Sequence, residues 1–187
     1  MNKRIVISVG HGRNAKGGYD SGAVSKDGRY HEFRIARDIA KLVSDRLGCD
    51  LINYAGDRSL TQRIKDVNAG GYDFAAEIHL NAGGGTGTET YYYHGSPTGR
   101  RAADEICRGI SENLGVRNRG VKVKLNAKGT DYFGFIRQTK PCAVLIETVF
   151  IDCARDLKII TGEEGKRKCA AAIAAGIEKA LGKGERK

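Results

Sequence analysis

Four residues of the 187-residue chain are of types that could share one reaction: His11, Glu32, His79 and Glu147. Two imidazoles and one carboxylate are a recurrent ligand set for a catalytic zinc ion, which keeps a further position for water. A second carboxylate close by could take the proton of that water, and Glu147 is the candidate. The four are scattered along the chain, unlike a compact HExxH signature, so their spacing alone leaves other uses open. A histidine at a strand end can be a hydrogen-bonded structural residue. A glutamate at a helix start can be a capping charge. A glutamate in an apolar strand can be half of an ion pair with one of the many arginines.

The elements that would position these residues are legible. Ile5 to Val9 is a short apolar run ending in Gly10-His11-Gly12 and reads as a buried strand. A glycine-rich loop runs to Tyr30. Residues 31 to 47 read as a helix, with Ile35, Ala36, Ile39, Val43 and Leu47 on one face and Gly48 ending it. Glu32 lies four residues before Ala36 and seven before Ile39, so it shares that buried face. An inward carboxylate is costly unless it is paired or bound to a metal. Strands are expected at 49–54, 74–80, 88–94, 121–125, 132–136 and 142–150, and helices at 59–69, 97–114, 154–161 and 163–182. Strands alternating with helices imply an α/β layered fold with a largely parallel sheet. Such a sheet places His11, His79 and Glu147 along one edge, beyond the carboxyl ends of the strands where ligands bind.

The other polar residues of these segments are read more plainly. His31 is expected to be an exposed neighbour of Glu32, and His94 a strand-end residue. The Tyr91 to Tyr93 run is expected to pack on the sheet. Glu77 shares a strand face with His79 and Glu89 opens the next strand, and structural roles serve for both.

Length and composition set the outer limits. A chain of this size is one domain and buries roughly 70% of the surface its unfolded form exposes. We expect that domain over residues 1–182, with a frayed basic tail over 183–187. The formal net charge of +10 favours acidic partners. No zinc finger, RNP-like strand or basic zipper helix accompanies it, so nucleic acid is not expected as a partner. No run of 18 apolar residues is present, so no membrane span is expected. The five cysteines contain no CxxC and read as buried, reduced thiols. The start of the chain shows no signal-peptide pattern, which implies cytoplasmic synthesis.

Six motifs then stand in order: Val9-Gly10-His11-Gly12, Asp20-Ser21-Gly22-Ala23, His31-Glu32, Ile78-His79-Leu80-Asn81-Ala82, Gly87-Thr88-Glu89-Thr90-Tyr91-Tyr92 and Val144-Leu145-Ile146-Glu147. Together, over roughly residues 3 to 181, they resemble the zinc-dependent N-acetylmuramoyl-L-alanine amidases of the type-3 family. The resemblance implies a three-layer α/β/α domain with a twisted, mostly parallel sheet of about six strands between helices. It also implies one catalytic Zn2+ held by His11, Glu32 and His79, with Glu147 as catalytic acid and base. The implied reaction is hydrolysis of the amide bond between N-acetylmuramic acid and L-alanine, with peptidoglycan as the substrate and the bacterial cell wall as the place of action. A monomer is expected, which anionic wall polymers could retain through its basic charge. The sequence departs from the family pattern at Ser8-Val9 and Ser21, where Asp-Pro is common, and at His31, where Asn is common. No departure falls on an implied ligand, and together they are similar to endolysin-type members.

Three other readings compete. A zinc peptidase acting on the stem peptide of peptidoglycan would use the same metal chemistry. A metal-free glycosidase would use two carboxylates such as Glu32 and Glu147. A non-catalytic basic module would bind an acidic polymer with steep salt dependence.

Overall fold

The computed structural model describes residues 3–182. In chain order it contains β1 (Ile5–Val9), β2 (Gly12–Arg13), β3 (Tyr19–Asp20), α1 (Glu32–Leu47), β4 (Asp50–Ile52), α2 (Leu60–Ala69), β5 (Phe74–Asn81), β6 (Thr88–Tyr92), α3 (Pro97–Leu114), β7 (Asn118–Lys122), α4 (Gly134–Gln138), β8 (Cys142–Phe150), α5 (Ala154–Thr161) and α6 (Glu163–Ala180). The tail expected over 183–187 lies outside the described residues. Six strands form one sheet in the order β4-β1-β5-β8-β6-β7. Every pairing is parallel except that of β6 with β8. The expected α/β architecture and mostly parallel six-stranded sheet are therefore present.

The two faces of the sheet are unequal, and this inequality makes room for the site. Alternate strand residues point to opposite faces. Ile5, Ile7, Val9, Phe74, Ala76, Ile78, Val144 and Ile146 meet the apolar sides of α1, α3 and α6 in the larger core cluster. Ile39, Ile106, Ile173 and Ile177 are fully buried there. Each such side chain contributes about 1.5–3 kcal/mol relative to exposure. On the other face a smaller cluster forms, in which Val6, Ala75 and Ala143, with half-buried Ile52, meet Ile64 and Val67 of α2 and Phe135 of α4. The next residues of the same strands on this thin face are Ser8, Glu77, His79, Leu145 and Glu147. Polar groups thus begin where the short helices stop covering the sheet.

Three expectations need correction. Residues 132–136 were expected as a strand, but residues 134–138 form the single-turn helix α4. A short apolar run such as Tyr132-Phe133-Gly134-Phe135-Ile136 does not distinguish a strand from a helical turn by periodicity. Packing of Phe135 beside Ile64 and Val67 decides for the helix. The strand expected at 121–125 lies at 118–122, because Gly120, with φ of 80°, sits inside it. The register skips a residue there, pairing Thr88 with Asn118 and Thr90 with Val121, which is a β-bulge with glycine in the left-handed region. The loop after β1 also contains the small antiparallel pair β2-β3, which the sequence did not announce.

Among the described residues the cysteines form no disulfide. Cys107 and Cys169 are buried as expected, whereas Cys49, Cys142 and Cys153 are half-buried. Among the described residues no helix is long and apolar enough to cross a membrane.

Candidate metal centre

Helix α1 starts in an unusual way. Its first residues are not capped by the His31 side chain. Instead the N–H groups of Glu32 and Phe33 donate to the carbonyls of Ala23 and Ser21 at 2.9 and 3.0 Å. The loop 21–23 is thereby fastened across the helix start. Glu32 turns inward: Ala23 N–H donates to its Oε2 at 2.8 Å and Leu80 N–H to its Oε1 at 3.0 Å. The carboxylate is 3% exposed and stands between two imidazoles. His11 Nε2 lies 3.1 Å from Oε1, and His79 Nδ1 lies 2.9 Å from the same oxygen. His11, Glu32 and His79 each offer a ligand atom, and these atoms lie within 4.8 Å of one another.

Glycines let these groups meet. A Cβ on Gly10 would fall 2.1 to 2.5 Å from atoms of the His79 ring. A Cβ on Gly22 would fall 2.5 Å from Glu32 Oε2 and 2.7 Å from His11 Cδ2. Gly22 also has φ of 69°, which side chains rarely tolerate. His11 itself has φ of 61°. A non-glycine residue in that region costs about 1–3 kcal/mol and persists only where its surroundings fix it. Here Asn53 Nδ2 and Arg63 Nη1 both donate to the His11 carbonyl, at 2.8 and 2.9 Å.

Each imidazole has a second carboxylate on its far nitrogen. Asp20 Oδ2 lies 2.9 Å from His11 Nδ1, and Glu77 Oε2 lies 3.1 Å from His79 Nε2. Glu77 is itself buried, taking hydrogen bonds from Arg63 Nε at 2.8 Å and Ser8 Oγ at 3.2 Å. Sequence reasoning gave no site role to Asp20, Glu77, Arg63 or Asn53. The one available signal was strand alternation, which puts Glu77 on the His79 face.

The electrostatics favours positive charge at this centre. Burial alone would raise the Glu32 carboxyl, but hydrogen bonds from His11 and His79 outweigh it and hold the group well below the usual carboxylate range. Burial alone would lower His79, yet Glu32 and Glu77 raise it to about 10. His11 is raised the same way, chiefly by Glu32 against burial. Three carboxylates, Asp20, Glu32 and Glu77, stand against the two imidazoles, and of these Glu77 is paired with the Arg63 guanidinium. Two imidazole nitrogens and a deprotonated carboxylate converging on one point, with net negative surroundings, fit a zinc-type dication.

Glu147 stands beside them. It is the register partner of His79 across the β5–β8 pair. It lines a cavity of about 640 Å³ together with His11, Glu32, His79 and Asn81. Its Oε2 is buried and has no hydrogen-bond partner among the described residues. Burial pushes the carboxyl up to about 7, helped by the negative charges of Glu32 and Glu89 and opposed by His79. The ion-pair reading of an apolar-strand glutamate therefore belongs to Glu89, which holds Arg119 Nε at 2.7 Å, and not to Glu147.

Tyr91 donates to Glu89 at 2.9 Å and packs its ring on Phe133. His94 is exposed, but His31 is half-buried rather than exposed, and its Nδ1 has no partner among the described residues.

Comparisons with known proteins identify the family of the chain. The family model described as N-acetylmuramoyl-L-alanine amidase matches residues 5–179. The N-acetylmuramoyl-L-alanine amidase LytC of Bacillus subtilis is 30% identical over 184 residues, covering 92% of this chain and 34% of LytC. Cwp6 from Clostridium difficile superposes with a TM-score of 0.86 at 29% identity, covering 97% of this chain and 30% of Cwp6. An N-acetylmuramoyl-L-alanine amidase from Clostridium difficile 630 superposes at 0.84 with 25% identity, covering 99% of this chain and all of that one. The chain thus spans about a third of the length of LytC and of Cwp6. It belongs to the N-acetylmuramoyl-L-alanine amidase family.

Proposed function

We propose that this protein hydrolyses the amide bond between N-acetylmuramic acid and L-alanine in peptidoglycan, with one zinc ion held by His11, Glu32 and His79 and with Glu147 as acid and base. One observation carries the reading above all: three ligand atoms lie within 4.8 Å of one another, and Glu147, whose buried Oε2 has no partner among the described residues, lines the same cavity. Relatives named as amidases of this bond support the choice of substrate.

When bound, zinc supplies Lewis acidity, making a water more acidic and polarising a carbonyl. The protein's own groups do the rest. Asp20 and Glu77 stand behind the two imidazoles, so His11 Nε2 and His79 Nδ1 are the nitrogens that would hold the ion. Leu80 N–H and Ala23 N–H fix the Glu32 carboxylate. Glu147, ionised, takes the proton of the attacking water and returns it to the leaving L-alanine nitrogen. Its raised pKa suits both halves of that task, because a group near the working pH gives and takes protons readily.

The domain expected over residues 1–182 is the catalytic unit on this reading, acting on the bacterial cell wall as a monomer. The net charge of +10 favours retention on anionic wall polymers. The metal part of the proposal is tested with His79→Ala. That protein should fold, bind no stoichiometric zinc and lose turnover. A folded, zinc-free His79→Ala protein that still cleaves peptidoglycan would contradict it.

A further inference from the structure

We infer that Glu77 and Arg63 are positioning residues for the metal site, a buried carboxylate–guanidinium pair that sets the orientation and tautomer of His79 and steadies the backbone at His11. The inference rests on the metal reading above and extends it to two residues outside the ligand set.

Packing alone gives no reason for a charged pair at this place. The other core positions on this face are filled by Val6, Ala75 and Ala143. A buried ion pair is often no better for stability than apolar residues of the same shape. The Glu77 carboxylate is instead fully committed. Its Oε1 accepts from Arg63 Nε and Ser8 Oγ, and its Oε2 faces His79 Nε2 at 3.1 Å. With Nε2 carrying the proton for that bond, the lone pair of Nδ1 points at the centre shared with Glu32 and His11. Carboxylates behind metal-bound histidines fix ring orientation and raise ligand basicity in this way.

Arg63 links the two halves of the site. Its Nε holds Glu77 at 2.8 Å, and its Nη1 donates to the His11 carbonyl at 2.9 Å and to the Arg58 carbonyl at 3.1 Å. One guanidinium therefore touches the carboxylate behind one imidazole and the strained backbone beneath the other. Asp20 performs the corresponding service for the His11 ring from a far more exposed position, its side chain 48% accessible against 2% for Glu77. The two histidines consequently present opposite nitrogens, Nε2 from His11 and Nδ1 from His79.

The test uses the full chain and zinc(II) alone as the probe. Zinc affinity is measured by competition with a chromophoric chelator for the parent, Glu77→Gln and Glu77→Asp. Nitrogen-15 NMR of the zinc-loaded proteins reports the His79 tautomer. Glu77→Asp keeps its charge opposite Arg63 but draws back from Nε2, so it serves even where Glu77→Gln folds poorly. The expected result is zinc binding weakened by about 10- to 100-fold, with a mixed or altered tautomer at His79. A variant that is merely less stable, with zinc affinity within about twofold of the parent and the same tautomer, overturns the inference and leaves the pair as a clamp between α2 and β5. A parent that takes up no zinc overturns the inference together with the reading beneath it. A parent that binds zinc no better than either variant overturns the inference alone.

Discussion

Glu147 stands directly across from His79 in the register of the parallel pair β5–β8, on the thin face of the sheet. On the proposed roles, that single pairing puts the proton-transfer group beside a metal ligand without help from any loop. It also separates their roles. His79 is engaged on both ring nitrogens, whereas Glu147 Oε2 has no partner among the described residues.

Glu147→Gln should therefore separate chemistry from metal binding. The amide keeps the shape of the carboxylate but cannot take a proton from water. We expect kcat to fall by about 10²- to 10⁴-fold, with zinc stoichiometry unchanged. Steady-state kinetics on solubilised peptidoglycan and metal analysis of the same sample check this. Turnover within a fewfold of the parent would remove Glu147 from the mechanism.

The pH profile should carry the same signature. A base must be ionised, and burial raises the Glu147 carboxyl to about 7, so the rate falls as pH drops through its value. A bound dication lowers that value, which puts the acidic limb of kcat/KM at or below pH 7 in the zinc-loaded enzyme. The negative charge of Glu89 pushes the Glu147 carboxyl up. Glu89→Gln should consequently move the acidic limb to lower pH. A shift to higher pH, or none, would contradict the assignment of that limb to Glu147.

Gly10→Ala tests the close packing around the ligands. The added methyl would fall 2.1 to 2.5 Å from the His79 ring atoms, so the ring must move. Because His79 is held on both nitrogens, displacement breaks its bonds to Glu32, to Glu77, or to both. Zinc affinity should drop by about 10-fold or more while the circular dichroism of the folded chain is kept. Unchanged affinity would mean that the His79 position does not depend on Gly10.

Much of this candidate site is legible in the sequence because its residues interrupt apolar patterns. His11 follows the run Ile5 to Val9, Glu32 falls on the apolar stripe of α1, and Glu147 breaks the run from Ala143 to Phe150. Each is a polar group where burial is expected, and that mismatch is readable without a structure. The supporting groups give no such sign. Arg63 sits between Gln62 and Ile64 in α2 and reads as an ordinary helix-surface arginine, yet its contacts are with Glu77 and with the His11 carbonyl. Asp20 acts through the nitrogen of His11 that faces away from Glu32, a choice only the folded geometry makes. The fold was misread where local patterns are weak. The aromatic run before Arg137 turned out helical because Phe135 packs beside α2, and β7 began earlier because a bulge at Gly120 continues a strand through a residue that usually ends one.

The central claim is most directly tested by digesting purified peptidoglycan with the parent protein, with and without chelator, and identifying the products by mass spectrometry. The account predicts stem peptides that begin at L-alanine, beside intact glycan strands, lost with chelator and restored by zinc. Cleaved peptide crosslinks, reducing sugars, or undigested wall in the presence of zinc would contradict it.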